Sequence, residues 1–460
     1  MRRVAADAGA ARSALAGRRS PRGERQASAE EAQGAARLAE SGAPTVVLKR
    51  GRARLLRQSG SPIVYGDSVD CVVGSPPPKP GDCVVVADGT RTPLAWGTFN
   101  PTSMYRVRIL QSAADVHNEA PELVLDVRGV VHERVRRAFA MRKALGCCDG
   151  DNAAYRLINS EGDGVSGVVV DVFADAAVVQ ASALWAERHR TDIEDALRAV
   201  PGVRRVLWRR VEAMLRLETE ESEYDATVLE KNDESHDDGA DTDTVVEVVE
   251  DGLCFAVDLR RGQKTGFYCD QRDNRRWLRS LPLNADSRVL DLCCYTGGFS
   301  LAAAAAGAGH VLGVDSSEPA VELAAQNADR NDLDAASFRS GDAIAVAREL
   351  KAQGESFDVV VLDPPKLAPS TKALAKARSK YESFNVAALA LVKPGGVLIT
   401  CSCSGAVARA GALRDFVEAA ARRAGRSVQL VRRSGAAVDH PVSAGHAEGT
   451  YLDCLCYVVT

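Results

Sequence analysis

The sequence has no cysteine pair of the C-x-x-C type and no apolar run long enough to cross a membrane. Its twelve cysteines include four close pairs: Cys147-Cys148, Cys293-Cys294, Cys401-x-Cys403 and Cys454-x-Cys456. Zinc sites prefer wider spacing in two matching halves, so we expect reduced, mostly buried thiols rather than zinc or a disulfide scaffold. Apolar runs such as Leu301–Ala306 are far shorter than the ~18 residues that a membrane span needs.

The composition excludes a wholly disordered chain. Of 460 residues, 46% are hydrophobic and 26% are charged, which is ordinary for globular proteins. This length accommodates about three domains. The net charge of −4 combines basic and acidic regions, so it does not argue against an RNA partner.

Residues 1–43 predict a disordered leader that is not part of the fold. The first 29 residues contain seven arginines but only Asp7 and Glu24 as acids. A leader rich in Arg, Ser and Ala and poor in acids is typical of a transit peptide for a chloroplast or mitochondrion. The alternatives are a basic leader that touches RNA and a wrongly assigned start, and without a transit peptide we expect a cytoplasmic protein.

Residues 44–126 predict a small all-β barrel. Short β-type runs alternate there with turns rich in proline and glycine. Lys49, Arg50 and Arg52 make the first edge of this barrel basic. Because phosphates attract such clusters, these three side chains are candidate RNA contacts.

Residues 127–245 predict a compact α+β domain. A helical pattern over 130–145 is followed by several strand patterns and a second helix at 187–200. The segment 230–243 holds seven carboxylates and one lysine. We interpret it as a solvated insertion and not as a metal site.

Strand and helix patterns alternate from residue 246 to 460. The predicted strands span 288–292, 310–314, 336–339, 357–362 and 396–400. This alternation predicts an α/β fold with a parallel, doubly wound sheet. Ligands of such sheets bind beyond the carboxyl ends of the strands.

A glycine turn follows the first of these strands. The strand contains Asp291, and the candidate ligand contacts that follow are Tyr295, Thr296, Gly297, Gly298 and Phe299. The glycines let the backbone approach a ligand at the start of a helix. Because the turn has neither the G-x-G-x-x-G pattern nor a P-loop lysine, dinucleotides and triphosphates are disfavoured.

Acidic residues also end the next two strands. Asp315, followed by Ser316, can accept the two ribose hydroxyls of a nucleoside, and Asp342 can meet an adenine amino group. Each carboxylate alone is more often a cap or turn residue. Together with Asp291 and the glycine turn, however, the set resembles the class I S-adenosylmethionine-dependent methyltransferases, which implies S-adenosylmethionine as cofactor and no metal.

The fourth strand ends in Asp363-Pro364-Pro365-Lys366. The prolines predict a rigid, non-helical loop that presents Asp363 to a substrate base. The alternative is a turn that the prolines merely stiffen. Methyltransferases directed at amino groups tend to carry an aromatic residue where Lys366 stands.

The next strand ends in Cys401-Ser402-Cys403-Ser404 and should lie beside the fourth. A thiolate that adds to carbon 6 of cytosine makes carbon 5 nucleophilic, so a cysteine here indicates covalent catalysis. Cys403 is the predicted nucleophile. Cys401 remains the alternative, because residues two apart on a strand share a face, and two buried thiols without a catalytic role are the third possibility.

Longer strings resemble the bacterial 23S rRNA cytosine-5 methyltransferase I family over about nine-tenths of the chain. They are the runs 264–275, 155–164, 291–300, Asn100-Pro101 and Asp439-His440-Pro441. The resemblance implies an N-terminal PUA barrel that binds RNA, a central α+β domain and a C-terminal methyltransferase domain. It also places Gln271 and Arg272 near the cofactor. The acidic insertion is longer than the usual linker of that family.

Three functions therefore stay open at this level. The first is cytosine-5 methylation of large-subunit rRNA, and the second is methylation of another rRNA or tRNA base, such as guanine N7. The third is a non-catalytic RNA-binding factor in ribosome assembly, which the intact set of acidic residues disfavours. The sequence also leaves open whether the protein forms a homodimer.

Overall fold

The computed structural model describes residues 28–118, 121–150, 153–219, 244–260, 262–263 and 265–460. The acidic insertion and residues 1–27 of the predicted leader lie outside these ranges. Within them, no helix is long and apolar enough to span a bilayer. No group of three or more His, Cys, Asp or Glu side chains in the same ranges is arranged to hold a metal ion.

The N-terminal domain is a six-stranded β-sheet with three helices. Its strands are β1 Thr45–Leu48, β2 Ile63–Tyr65, β3 Val69–Val73, β4 Cys83–Ala87, β5 Pro93–Phe99 and β6 Tyr105–Ser112, and its helices are α1 Ala29–Glu40, α2 Arg54–Ser59 and α3 Ala113–Asn118. The strand order is β2-β6-β5-β4-β1-β3. Alternating apolar residues fill the interior, and the indole N–H of Trp96 donates to Gln111 Oε1 at 2.8 Å.

Helix α1, Ala29–Glu40, corrects one part of the predicted disordered leader, residues 1–43, while residues 1–27 lie outside the described residues. Ser28 caps it, accepting from the N–H of Glu31, whose carboxylate accepts from the N–H of Ser28 in return. Leu38 is 1% exposed, and a Cβ on Gly34 would lie 1.8 Å from the carbonyl oxygen of Ala113 on α3. The composition of the leader masked a short amphipathic helix that packs on the barrel.

The central domain is a four-stranded sheet of order β10-β9-β8-β7. Its elements are α4 Val127–Ala144, β7 Ala154–Asn159, β8 Val168–Phe173, β9 Ala176–Ala181, α5 Leu184–Arg188, α6 Arg190–Arg198, β10 Arg205–Arg210 and α7 Glu212–Leu215. The second predicted helix, 187–200, is in fact two helices that meet at His189. Buried Phe173 and Val178 of this sheet pack against the hairpin of β11 Val245–Glu250 and β12 Leu253–Asp258.

The C-terminal domain has the predicted doubly wound architecture. Its strands are β13 Arg288–Leu292, β14 His310–Asp315, β15 Ala336–Ser340, β16 Phe357–Leu362, β17 Val392–Ser402, β18 Val428–Ser434 and β19 Asp453–Val459. Its helices are α8 Arg272–Arg279, α9 Gly298–Ala305, α10 Glu318–Arg330, α11 Ala343–Ala352, α12 Leu374–Leu389, α13 Gly405–Ala410 and α14 Ala412–Ala424.

The seven strands are ordered β15-β14-β13-β16-β17-β19-β18. Strands β13 to β17 pair in parallel, as expected, and β19 is antiparallel to both of its neighbours. All the parallel strands therefore end at one edge of the sheet. The chain order reverses between β13 and β16, which is where a ligand of such a sheet binds.

Candidate active site

A cavity of about 460 Å³ opens at the carboxyl edge of the seven-stranded sheet. Its size is typical of small-molecule sites. Thirteen of the residues predicted for the site line it: Gln271, Tyr295, Thr296, Gly298, Phe299, Asp315, Ser316, Asp342, Asp363, Pro364, Pro365, Lys366 and Cys403. Four others, Asp291, Gly297, Arg272 and Cys401, do not reach its surface.

The turn between β13 and α9 has a tight backbone. Cys293, Tyr295 and Gly297 have φ angles of 66°, 49° and 87°, in a region that non-glycine residues seldom adopt. The N–H of Cys293 donates to the carbonyl of Val314 at 2.8 Å and so holds the turn against β14. A Cβ at position 297 would lie 2.8 Å from Leu301 Cδ1, so the turn requires glycine there.

Asp291 lies beneath this turn. It is 1% exposed, its Oδ2 accepts from Ser300 Oγ at 2.7 Å, and its Oδ1 has no hydrogen-bond partner among the described residues. Burial raises the pKa of Asp291 to about 7, because removal from water disfavours the charged carboxylate. The unpaired Oδ1 lies beneath the turn and outside the cavity surface, so Asp291 supports the turn from below.

Two backbone groups fix the carboxylate at the end of β14. The N–H of Tyr295 donates to Asp315 Oδ2 at 2.9 Å, and the N–H of Ser317 donates to Oδ1 at 2.9 Å. Each oxygen keeps a further lone pair for a ligand hydroxyl. Asp342 is exposed and caps α11 by accepting from the N–H of Ala345 at 2.8 Å, so the cap and the predicted adenine contact involve the same carboxylate.

A second tyrosine, which the sequence did not single out, lines the same cavity. The rings of Tyr268 and Tyr295 pack edge to face with their centroids 5.0 Å apart. Tyr295 Oη donates to the carbonyl of Gly266 at 3.1 Å and accepts from the N–H of Gln263 at 2.9 Å. The segment before α8 therefore packs directly on the glycine turn, and the position of Tyr268 within the 264–275 string was the available signal.

A chain of hydrogen bonds orients Asp363. Gln271 Nε2 donates to Asp363 Oδ2 at 2.9 Å, and Gln271 Oε1 accepts from Asn274 Nδ2 at 2.6 Å. Gln271 is buried. This chain holds the acidic side chain of the proline loop from the side of α8, so the predicted pair of Gln271 and Asp363 meets in the cavity.

Cys403 follows the end of β17 and lies half-buried in the cavity wall, where its Sγ is 3.9 Å from the carbonyl oxygen of Pro364. Tyr381 of α12 holds the flanking serines, with its Oη 2.7 Å from Ser402 Oγ and 3.1 Å from Ser404 Oγ. The thiol is thus beside the proline loop, in a segment that buried hydrogen bonds fix on both sides.

Cys401 is inside the sheet instead. It is fully buried, pairs in register with Cys454 on β19 and belongs to an apolar cluster with Cys456. The hydrogen bond with Cys454 lowers the pKa of Cys401, but burial and the nearby Asp363 carboxylate outweigh it and raise that pKa to about 11. Because β17 ends at Ser402, the alternation expected for residues two apart no longer holds at Cys403, and the geometry favours Cys403.

Arg272, predicted to lie near the cofactor, points elsewhere. Its guanidinium forms ion pairs with Glu250 at 3.4 Å and Asp439 at 3.1 Å, and donates to the carbonyl of Ala154 on β7. The N–H of Arg156 donates to the same Asp439 carboxylate at 2.9 Å. This side chain therefore joins the central and C-terminal domains.

The basic residues predicted at the barrel edge do not line this cavity. Lys49 Nζ donates to the carbonyl of Asp67 at 2.8 Å, and Arg52 pairs with the Asp67 carboxylate at 3.5 Å. Arg50 is exposed. Arg52 borders a separate groove of about 530 Å³ on the barrel itself.

Comparisons with known proteins agree with this architecture. Residues 236–450 match a family of S-adenosylmethionine-dependent methyltransferases, and residues 46–112 match a family of PUA-like domains. The ribosomal RNA large subunit methyltransferase I of Photobacterium profundum is 35% identical over 417 residues, 90% of this chain and 99% of the relative. The protein of the same name from Klebsiella pneumoniae is 34% identical over 412 residues, covering 89% and 96%.

Solved structures share the fold. A SAM-dependent methyltransferase from Streptococcus mutans has a TM-score of 0.70 and 17% identity, and the match covers 90% of this chain and 99% of that one. A second methyltransferase structure, complexed with SAH (S-adenosylhomocysteine), has a TM-score of 0.70, 16% identity and the same coverage.

The residues present fit S-adenosylmethionine, the cofactor. Asp315, whose two carboxylate oxygens each keep a further lone pair, would hold the ribose, and Asp342 would hold the adenine. A Cβ at Gly298 would lie 3.2 Å from Arg275 Cδ, so glycine at this position lets Arg275 pack closely against the turn. The half of the cavity next to β13 and β14 therefore carries the groups that would hold the cofactor.

Proposed function

The chain belongs to the ribosomal RNA large subunit methyltransferase I family, and from that premise we propose that it forms 5-methylcytosine in large-subunit rRNA. The coarser activity, S-adenosylmethionine-dependent methylation of rRNA, follows from relatives that align over 99% and 96% of their own length. The choice of cytosine carbon 5 depends on one observation: Cys403 and Asp363 line the same cavity as the cofactor residue Asp315.

Cys403 and Asp363 have different roles in the proposed reaction. Cys403 loses its thiol proton, and the thiolate Sγ bonds to carbon 6 of cytosine, which makes carbon 5 nucleophilic. The cofactor supplies the methyl group that carbon 5 accepts. A base then takes the carbon-5 proton, the ring double bond re-forms, and the carbon 6–sulfur bond breaks to release Cys403 as its thiolate. Asp363, which Gln271 holds in place, polarises the cytosine ring through a hydrogen bond to the polar edge of the base.

A cysteine substitution tests this proposal. We expect Cys403→Ala to lower methyl transfer to large-subunit rRNA by at least about a thousandfold, because the nucleophile is lost, and to leave S-adenosylmethionine binding intact. Buried Cys401→Ala is the matched control and should keep its turnover. The measurements are methyl incorporation and nucleoside mass spectrometry of the product.

Two outcomes would overturn the proposal. Full turnover by the Cys403→Ala protein would exclude the covalent step, and a product such as N7-methylguanine would exclude cytosine as the target. RNA that contains 5-fluorocytosine gives an independent readout. Because the fluorine at carbon 5 is not released as a proton is, the wild type should remain covalently bound to this RNA, whereas the alanine variant should not.

We also propose that the arginine-rich residues 1–27 direct the protein to an organelle. Helix α1 packs on the barrel, so the targeting segment should end before Ser28. A fusion of residues 1–27 to a fluorescent protein should enter chloroplasts or mitochondria, and cytosolic fluorescence would contradict the assignment.

A further inference from the structure

Helix α12 carries a row of lysines on one flank. Lys372 precedes the helix, and Lys376, Lys380 and Phe384 follow at intervals of four residues. Side chains four residues apart lie on the same face of a helix. Phe384 lines the catalytic cavity, and so does Lys366 of the proline loop. The lysine row therefore runs outwards from the wall of the cavity itself.

Contacts of Tyr381 set the height of this row relative to the sheet. Tyr381 bonds to Ser402 and Ser404 at the end of β17. Residues 374–380 precede it on the helix and so extend past the carboxyl edge of the sheet, by about 10 Å at 1.5 Å per residue. The lysine row consequently stands beside the mouth of the cavity.

Carboxylates outnumber cations in the lining of the cavity. The lining includes four carboxylates, those of Asp270, Asp315, Asp342 and Asp363. Its cations are Lys366 and Arg275, and Arg275 is bound to Glu250 at 2.6 and 2.7 Å. A polyanion that approaches this lining is repelled unless cations near the mouth compensate.

The lysine side chains are available for that role. Lys366, Lys372, Lys376 and Lys380 are exposed, and across the ranges that the structure covers no carboxylate pairs with them. On the opposite flank of α12, in contrast, Arg378 binds Glu382 at 2.7 Å. The helix thus neutralises its far flank and leaves the cavity flank positive.

We propose that Lys372, Lys376 and Lys380 bind phosphates of the RNA strand that carries the target base, next to the cavity. This inference rests on the proposed function, because it takes the substrate to be RNA. Charge complementarity supports it: exposed lysines without partners are the contacts that RNA phosphates recruit. The row is separate from the basic edge of the barrel, so it provides a second RNA contact, at the catalytic domain.

Matched double variants test the lysine row. Lys376→Gln with Lys380→Gln removes two charges and preserves helix propensity. The control, Arg348→Gln with Lys351→Gln, removes two exposed charges from the far end of α11, which begins at the cavity edge. RNA binding is measured against salt with full-length protein and large-subunit rRNA fragments.

We expect the α12 variant to bind RNA about tenfold more weakly at low salt and to lower the slope of log Kd against log salt by about 1.4. Affinity for S-adenosylmethionine and kcat at saturating RNA should not change. Equal RNA binding by the two double variants would overturn the inference. Because binding is read independently of methylation, wild type that binds RNA through this row yet methylates another base would contradict only the proposed function.

Discussion

At the residue scale, two side chains that do not react fix the positions of the two that do. Tyr381 bridges the serines on both sides of Cys403, and Gln271 bridges Asp363 and Asn274. Buried and fully bonded networks of this kind rigidify a site. Cys403 thus gains a fixed position in spite of lying in a loop beyond the end of its strand.

Replacement of the tyrosine hydroxyl should affect the reaction more than binding. In Tyr381→Phe the two serine hydroxyls lose their shared partner, so we expect kcat to fall about tenfold, with little change in KM for RNA, and stability to fall by about 1–2 kcal/mol. Tyr457→Phe is the control, because the buried Tyr457 hydroxyl has no partner among the described residues. The rate of trapping on 5-fluorocytosine RNA reports the effect, and equal rates for both variants would refute a positioning role.

Asp291 should make stability depend on pH. Its folded pKa of about 7 lies above the ordinary ~3.9 of the unfolded chain. The folded state therefore binds the extra proton, and this contribution to stability is complete below pH ~4 and disappears as pH rises to about 7. Asp291→Asn should lack this component, so the difference in Tm between variant and wild type should grow in favour of the variant from pH 5 to 8. A constant difference would contradict the raised pKa.

At the scale of elements, α1 illustrates how packing overrides composition. The segment is rich in alanine and polar residues, and its only fully buried large side chain is Leu38. Gly34 permits close approach to α3, since a Cβ there would meet the Ala113 carbonyl. One buried leucine and one glycine are therefore enough to add this helix to the barrel.

Truncation of that leucine measures the contribution of α1. Leu38→Ala should lower the free energy of unfolding of the barrel by about 2–4 kcal/mol, because it removes buried methyl groups and leaves a cavity. Exposed Arg37→Ala on the same helix should change it by less than about 0.5 kcal/mol. Thermal unfolding of both variants checks this, and equal Tm values would show that α1 does not stabilise the domain.

At the scale of the whole molecule, buried ion pairs connect the domains on which the site depends. Arg272 joins Glu250 and Asp439, and Arg142 donates to the carbonyl of Asp439 at 2.8 Å. On the barrel side, Arg108 pairs with buried Glu218 at 2.7 Å. These contacts span distant parts of the chain and hold the N-terminal barrel, the central sheet and the C-terminal domain together.

Removal of one partner should therefore loosen the assembly. Arg272→Met removes the guanidinium that pairs with buried Asp439, while Glu250 keeps Arg275, and we expect a loss of about 3–5 kcal/mol. Arg276→Met, on the same helix, breaks an exposed pair with Asp251 and should cost at most about 1 kcal/mol. Denaturant unfolding compares the two. If Arg272 instead contacted the cofactor, its variant would lose S-adenosylmethionine affinity at full stability.

The local sequence pattern was enough to predict much of the fold and of the candidate site. Apolar runs predicted the strands, and acidic residues follow where those runs end. These acidic residues meet at one edge of the sheet because parallel strands run in the same direction. Asp315, Asp342 and Asp363 were found this way, and so was the glycine turn, whose conformation few other residues adopt.

Only the tertiary structure decided the rest, because it depended on partners remote in sequence. The end of β17 at Ser402 places Cys401 in the sheet against Cys454 and leaves Cys403 in the cavity. Arg272 connects two domains because it pairs with Glu250 and Asp439. Helix α1 is part of the fold because it packs on α3. Neither periodicity nor composition contains these pairings; packing selects them.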